Sequence, residues 1–455
     1  MNQLFWLIMG FFINMTYRSF HFTLSLVRNG IYMFRNKVSR GVSQPWRRMD
    51  ETMLLGAVDP QCSVLITGGA AYTSMRDRLL TQLARQTQQS CTPVVILHRG
   101  NANLVQRIAT LPNAIICGRK EHNYDPFRDL DAGTIADVLL DNLPTSNPYA
   151  LNIPQAKTYI RGLAQFYIRC RGKRPSLNAL CDCTDVSRKG YMSILSALRN
   201  AQSQNRIAQS EYNGIKSLLD AGQSQEVILH AFLLDILHQL SSCVPPLRTS
   251  LIDGAFISIR RAIVRNAILC IDVSSVTNEA LFYHLFVNEL IRSEADLVGR
   301  PYLILDDINI KSSPVLTSFL ESGVASAHCI CCKNVYAAIN DGKAGTPLFN
   351  SLASGCDLHI TLKQPSGAAA GLWSDYYGTY QKQKPSVSYS NGVATGHGAQ
   401  ILPGTSHGHM IQYTDVDEHR WRPDEFTKME DLEMIYVLQN SGSTRYIKAK
   451  MTPEP

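Results

Sequence analysis

Short apolar runs that alternate with helical stretches constrain this chain more than any other feature. "CSVLIT" (62–67) leads into helical periodicity over 75–89 and "PVVILH" (93–98) into a helix over 101–111, and "NAIICG" (113–118) follows. The pattern resumes with "AILCIDV" (267–273), a helix at 277–293, "PYLILDDINI" (301–310), a helix at 314–322, "AHCICC" (327–332) and "CDLHITLK" (356–363). Buried strands joined through helices imply βαβ units and a mainly parallel sheet, because parallel neighbours need a crossover connection. Residues 150–250 read instead as helix throughout, in "QAKTYIRGLAQFYIRC", "SLNALCDCTDVSRKGYMSILSALRNAQ", "SEYNGIKSLLDAG" and "SQEVILHAFLLDILHQLSSC". They look like an inserted all-α domain. Residues 384–408, rich in Ser, Gly and His, read as a loop, and "EMIYVLQ-NSGS-TRYIKAKM" at the end reads as a hairpin. The expected organisation is 1–48, a membrane anchor with a basic flank; 49–149 and 251–455, the two parts of one α/β domain; and 150–250, the helical insertion.

The first strand–helix unit has the form of a phosphate-binding loop. In "VLITGGAAYTSMRDRLL" (64–80) an apolar strand is broken by Gly68 and Gly69, and a helix follows. A P-loop, G-x-x-x-x-G-K-[ST], curls so that backbone N–H groups meet phosphate oxygens. Its Lys supplies a cation and its Ser/Thr hydroxyl holds Mg²⁺. Laid onto this chain, Thr73 falls at the second glycine, Ser74 at the lysine and Met75 at the Ser/Thr. A thioether is a poor ligand for hard Mg²⁺. Losing the lysine removes a full positive charge from a site that must hold about four negative ones, a cost of several kcal/mol to the transition state. Arg76 or Arg78 could return a charge, though neither stands where the lysine does.

"YLILDDINI" has the form of a Walker B strand, in which Asp306 would hold Mg²⁺ and Asp307 would polarise the attacking water. Strands also end in Asp at ordinary turns. In "YDPFRDLDAGTIADVLLDNLPT" (124–145) the residues themselves describe a loop-to-helix junction, with the helix over Ile135–Leu143.

Residues 4–27 are apolar enough and long enough to span a bilayer, for which about 20 residues are needed, although Arg18 and His21 are expensive near the middle. An interfacial helix and a buried one are the alternatives. Arg35, Lys37, Arg40, Arg47 and Arg48 then place the rest of the chain on the cytoplasmic side. The net charge of +7 mildly favours acidic partners. The twelve cysteines lack the paired spacing of zinc sites and sit mostly among aliphatics, as reduced thiols do. His397, His407 and His409 read as scattered surface residues and Trp373, Tyr376, Tyr377 and Tyr380 as a packed helix face. Asp182 and Asp185 read as caps or turns and "KAGTPLF" (343–349) as a turn.

In order and spacing, the degenerate "VLITGG…RLLTQL", "PVVILHRGN", "DPFRDLDAGTIADVLLDNLP", the helical insertion, "AILCIDVSSVTNEALFYHLFVNEL", "PYLILDDINI" and "AHCICCKNVYAAIN" resemble the type IV coupling proteins. These are the TraG/TraD-type ATPases of conjugation and type IV secretion, in the FtsK/HerA group. The resemblance covers about residues 50–450. It implies a RecA-like P-loop NTPase domain with a mainly parallel sheet, an inserted all-α domain that contacts substrates, and a membrane-proximal N-terminus. It also implies an oligomeric ATPase at the cytoplasmic face of the plasma membrane that passes a relaxase–DNA complex or a protein substrate to the secretion channel. By position, Gly68, Gly69, Thr73, Ser74, Met75 and Arg76 would line the nucleotide, Asp306 would take the metal, and Lys333 or Asn334 would sense the γ-phosphate. The departures gather at that one site. Besides the missing Lys and Ser/Thr, His98-Arg99-Gly100 stands where the family has a strand ending in an acid, and Lys333 where it has Gln. The expectation is therefore a pseudo-ATPase that binds neither ATP nor Mg²⁺ and acts as scaffold or receptor. One alternative is a working motor with a rearranged site using Arg76, Arg99, Lys333 or a neighbouring subunit's arginine. The other is a membrane-associated nucleic-acid-binding module that uses no nucleotide.

Overall fold

The computed structural model describes residues 46–56, 62–69, 73–117, 122–140, 153–172, 175, 180, 188–223, 256–276, 278–296, 300–322, 327–339, 347–393, 405–440 and 443–453. Along the chain the strands are β1 (Arg47–Met49), β2 (Val64–Thr67), β3 (Val94–His98), β4 (Ala114–Cys117), β5 (Asn123–Tyr124), β6 (Phe256–Ile257), β7 (Ile268–Asp272), β8 (Tyr302–Asp306), β9 (His328–Cys332), β10 (Leu358–Leu362), β11 (Thr379–Val393), β12 (Thr405–His419), β13 (Glu433–Asn440) and β14 (Ser443–Met451). Ten of them form one sheet in the order β1-β14-β13-β10-β2-β9-β8-β3-β7-β4. From β10 to β4 every pairing is parallel; β13 pairs antiparallel with both β10 and β14, and β1 closes that edge parallel to β14. The chain thus has the mainly parallel α/β sheet that the sequence pattern implies. Strands from before and after the helical insertion interleave, with β3 between β8 and β7.

The near-continuous apolar strands follow from burial on both faces. Side chains alternate across the sheet. Leu65, Val95, Leu97, Leu269, Leu303 and Leu305 join the core under the helix Glu279–Asp296. Their neighbours Val64, Ile66, Val94, Ile96 and Ile304 join the opposite core, with Leu79, Leu80 and Leu83 of the helix Thr73–Gln89 and Leu104 and Ile108 of the helix Ala102–Ile108. A third core holds the helical insertion, where Ile153–Cys170, Arg188–Ser203 and Gln209–Gln223 pack with Ala132–Leu140. Gly162 permits the closest approach there: a Cβ on it would lie 3.0 Å from the Leu218 side chain.

Several sequence expectations need correction. Residues 384–408 are not a plain loop. Residues 384–393 belong to β11 and 405–408 to β12, which form a separate two-stranded ribbon in register from Thr379↔His419 to Val393↔Thr405. Its alternation is written in Ser, Gln, Lys and Gly, so no apolar period betrays it. His407 and His409 therefore lie in a strand. "KAGTPLF" is not a turn throughout, because a helix runs over Pro347–Ser354 and takes Pro at its first turn, where no N–H partner is lost. The helix expected at 75–89 begins at Thr73, and the one at Ile135–Leu143 runs over Ala132–Leu140. Trp373 and Tyr377 are buried on the helix Gly367–Tyr377, with ring centroids 5.2 Å apart. The anchor expected over 4–27 and residues Asp182, Asp185 and His397 lie outside the described residues. No described helix is long and apolar enough to cross a membrane.

Candidate functional site

The parallel strands end together: Asp306 on β8, His98 on β3 and Asp272 on β7 make one row, and Thr67 on β2 ends one residue further on, beside Cys332 of β9. His98 is in register with both Asp306 and Asp272, and Asp306 with Cys331 of β9. Ligands of open α/β sheets bind in the crevice beyond this edge.

Two glycines leave β2 at the edge with left-handed φ, +90° at Gly68 and +70° at Gly69. A Cβ at Gly68 would lie 2.5 Å from Gln364 Nε2 and 2.6 Å from the Lys363 carbonyl oxygen, so only glycine fits. The same crowding consumes the loop's donors. The Gly68 N–H donates to the Cys332 carbonyl at 2.9 Å and the Gly69 N–H to the Lys363 carbonyl at 2.9 Å. In the helix that follows, Ser74 faces solvent and Met75 is buried in the core beneath the sheet.

Arg76 turns the other way and is 1% exposed. Its Nη2 lies 2.5 Å from Asp306 Oδ1 and 3.2 Å from Asp307 Oδ1, its Nη1 donates to Asp307 Oδ2 at 3.3 Å, and its Nε donates to Cys331 Sγ at 3.2 Å. The guanidinium thus fills the space between the two acids that a Walker B metal would need. The other oxygen of Asp306 accepts from Asn101 Nδ2 at 2.8 Å. Asp307, held at φ +56°, also takes the Lys333 N–H on Oδ1 at 2.8 Å, and Lys333 Nζ lies 2.9 Å from Oδ2. Burial opposes the Arg76 charge, but the Cys331 sulfur and the two carboxylates outweigh it and hold the proton more firmly. Burial pushes Asp306 above the ordinary carboxylate range while Arg76 pulls against it. At Asp307 burial loses to Arg76 and Lys333, which keep it below that range.

Around this knot lies a ring of buried polar groups. Asn101 caps the helix Ala102–Ile108 with its Oδ1, and its Nδ2 reaches Asp77 Oδ1 at 2.7 Å as well as Asp306. His98 Nδ1 accepts from the Asn101 N–H at 3.2 Å, which leaves the ring proton on Nε2. Burial lowers the His98 pKa, so the ring is neutral at physiological pH. Asp77 Oδ2 and His98 Nε2 have no hydrogen-bond partner among the described residues.

The structure sorts the expected site residues. Asp306, Asp307, Arg76 and Lys333 come together. Arg78 pairs instead with Glu51 and donates to the Thr452 carbonyl at 3.0 Å. Arg99 is drawn away to Glu279. Asn334 uses its side chain to cap the helix Val335–Ala338. Sequence reasoning missed Asn101, Asp77 and Cys331. An N-cap residue before a helix was readable at Asn101, whereas nothing local marks the other two.

MgATP does not fit these residues. Among the described residues, all four oxygens of the acid pair are engaged by Arg76, Asn101 and Lys333, the first two loop N–H groups are taken, and Ser74 and Met75 stand where a P-loop has its Lys and its Ser/Thr. Among the described residues no group of three or more His, Cys, Asp or Glu side chains is placed to hold a metal ion.

No protein-family model matches the chain, and no curated protein sequence does. Solved structures show a distant likeness in fold. The bacterial conjugative coupling protein TrwBdeltaN70, in its unbound monoclinic form, is 13% identical over 92% of this chain and 91% of that one, with a TM-score of 0.47. TrwB with the ATP analogue ADPNP is 12% identical over 92% of each chain, also at 0.47. VirB4 of Thermoanaerobacter pseudethanolicus is 12% identical over 86% of this chain and 90% of that one, at 0.39. At this distance the likeness gives no residue a role.

Proposed function

We propose that this chain is a coupling-protein-like component of a conjugation or type IV secretion apparatus, held at the membrane by its N-terminal segment. In this reading it is a pseudo-ATPase that serves as scaffold or substrate receptor for DNA transfer. The order of its motifs supports the assignment to that apparatus. The observation that carries the loss of catalysis is the Arg76 guanidinium seated between Asp306 and Asp307. A built-in cation balances the acids without a metal and without a phosphate to attract. The site keeps the shape of the cradle and uses its charges to hold strands and helix together.

Hydrolysis and nucleotide binding by the purified full chain test this. A ligand at 100 times its Kd stabilises a fold by about 2.7 kcal/mol, which a melting curve detects. Millimolar MgATP should leave the melting temperature unchanged, and phosphate release should equal that of buffer. ATP turnover at ordinary motor rates, or a melting shift of several degrees that Asp306→Asn removes, would refute the pseudo-ATPase reading. The motor alternative requires Arg76 to leave both acids, so it predicts faster turnover in Arg76→Lys than in the unaltered chain.

A further inference from the structure

The helical insertion carries charge that the Arg76 site does not use. Residues 153–223 hold eleven Lys and Arg against four Asp and Glu, a net of +7. That equals the net charge of the whole chain, so the remainder is balanced. Part of the excess is met by acids. Lys157 and Arg161 lie 3.5 and 3.6 Å from Asp137 Oδ1, and Lys216 Nζ lies 2.8 Å from Asp220 Oδ2.

Three further arginines gather at one place. An open cleft of about 550 Å³ lies at the C-terminal ends of the helices Ile153–Cys170 and Arg188–Ser203, where Arg169, Arg171 and Arg206 line it together with Asn200 and Gln204. All five are exposed except at their contacts with the cleft wall, and among the described residues no acidic side chain lines the cleft. Glu211 holds Arg169 from outside at 3.5 Å, whereas Arg171 and Arg206 have no ion pair among the described residues. A helix end attracts cations through its bare carbonyls, but here backbone N–H groups reach carbonyls at both ends. Asn205, at φ +56°, donates its N–H to the Gln202 carbonyl at 2.9 Å, the Arg206 N–H donates to the Ala201 carbonyl at 2.9 Å, and the Arg171 N–H donates to the Tyr167 carbonyl at 3.1 Å. The Arg171 guanidinium lies over the Tyr167 ring, 5.5 Å from its centroid, which steadies it at the cleft.

We propose that this cleft binds the phosphate groups of a ligand. Arg171 and Arg206 supply two planar forks of N–H donors, and the Asn200 and Gln204 amides donate beside them. Arg169, shared with Glu211, adds to the field. Cations set around a concave wall focus their potential on the space between them. Three of them in one cleft call for more than a single negative charge, which favours phosphates over a lone carboxylate. The same chemistry is offered by a small polyphosphate and by the backbone of a nucleic-acid strand. The cleft lies on the insertion and shares no residue with the Arg76 site, so the proposal does not depend on the pseudo-ATPase reading.

Two probes test the cleft on the full chain without magnesium: inorganic triphosphate, followed by calorimetry, and a short labelled oligothymidylate, followed by anisotropy. At least one should bind. Binding of triphosphate identifies a small polyphosphate as sufficient, and binding of the oligonucleotide alone identifies a strand. Arg171→Gln with Arg206→Gln should weaken whichever probe binds by about a hundredfold, since each removes a charge-assisted contact. Both side chains are exposed, so these changes spare the core. Arg199→Gln removes the same charge from an exposed position on the same helix that does not line the cleft, and should cost at most about twofold in salt that screens distant charges. Failure of both probes to bind would overturn the proposal, as would a double variant that binds like the unaltered chain. An Arg199→Gln variant as damaging as the double variant would also overturn it, because diffuse attraction would then explain the binding without a site. Turnover is not read, so this result stands apart from the fate of ATP at Arg76.

Discussion

At the residue scale, a buried cation and two carboxylates decide what the site can do. Arg76 is paired on three sides, and a buried pair broken from one side costs about 3–5 kcal/mol because the remaining charge stays in a dry place. Arg76→Ala should therefore lower stability by about that much in a denaturant titration. Arg76→Met with Asp306→Leu and Asp307→Asn should recover most of the loss, since removing both sides of a buried pair leaves no orphaned charge. A variant Arg76→Ala as stable as the unaltered chain would show that the acids were already neutral. Gly68 is constrained for a different reason. Gly68→Ala forces a Cβ to within 2.6 Å of the Lys363 carbonyl at φ +90°, where backbone must move. Strain of this kind costs on the order of 1–3 kcal/mol, and a thermal melt should show the drop.

At the element scale, the segment after β5 ties the helical insertion to the sheet through buried acids. Glu289 of the helix Glu279–Asp296 accepts from Tyr124 Oη at 2.5 Å and from the Ile259 N–H at 2.6 Å, and burial raises its pKa well above the usual range. Asp125, fully buried, accepts from the Phe127 N–H at 3.0 Å, while its other oxygen has no partner among the described residues. Burial pushes its pKa up to about 7, with the Phe127 N–H and Arg128 pulling against it. The folded state thus keeps a proton that the unfolded chain releases near pH 4. Stability contributed by that proton is full below the unfolded pKa and falls as pH rises toward 7, by at most about 1.4 kcal/mol per unit, after which the penalty is constant. Between pH 5 and 8 the unaltered chain should lose melting temperature faster than Asp125→Asn, which keeps the acceptor for Phe127. Parallel curves would mean that Asp125 is ionised throughout.

At the scale of the whole molecule, the ten-stranded sheet is covered on both faces and the ribbon is a sheet apart. The ribbon's base is fixed, where Thr379 pairs with His419 and the Arg420 N–H donates to the Gly378 carbonyl at 3.0 Å. Shortening it to a tight turn after Gln381 and before Asp417 should leave the melting temperature within a few degrees of the unaltered chain. A collapse in stability would place the ribbon in the core of the fold.

The apolar strands and the helices between them were legible because burial on both faces leaves a local mark, a run of Val, Ile and Leu between turn residues. The ribbon was not, since strands written largely in Ser, Gln, Lys, Gly and His carry no apolar period. The departures from the P-loop motif at Ser74 and Met75 were also plain in the sequence. The replacement was not legible: Arg76 and Asp306 are 230 residues apart, and Asp307 is one further. Arg76, Arg78 and Arg99 look alike along the chain. Only the crossover order that sets β9 between β2 and β8 decided which of them meets the acids, because an ion pair depends on distance in space and leaves no pattern in sequence.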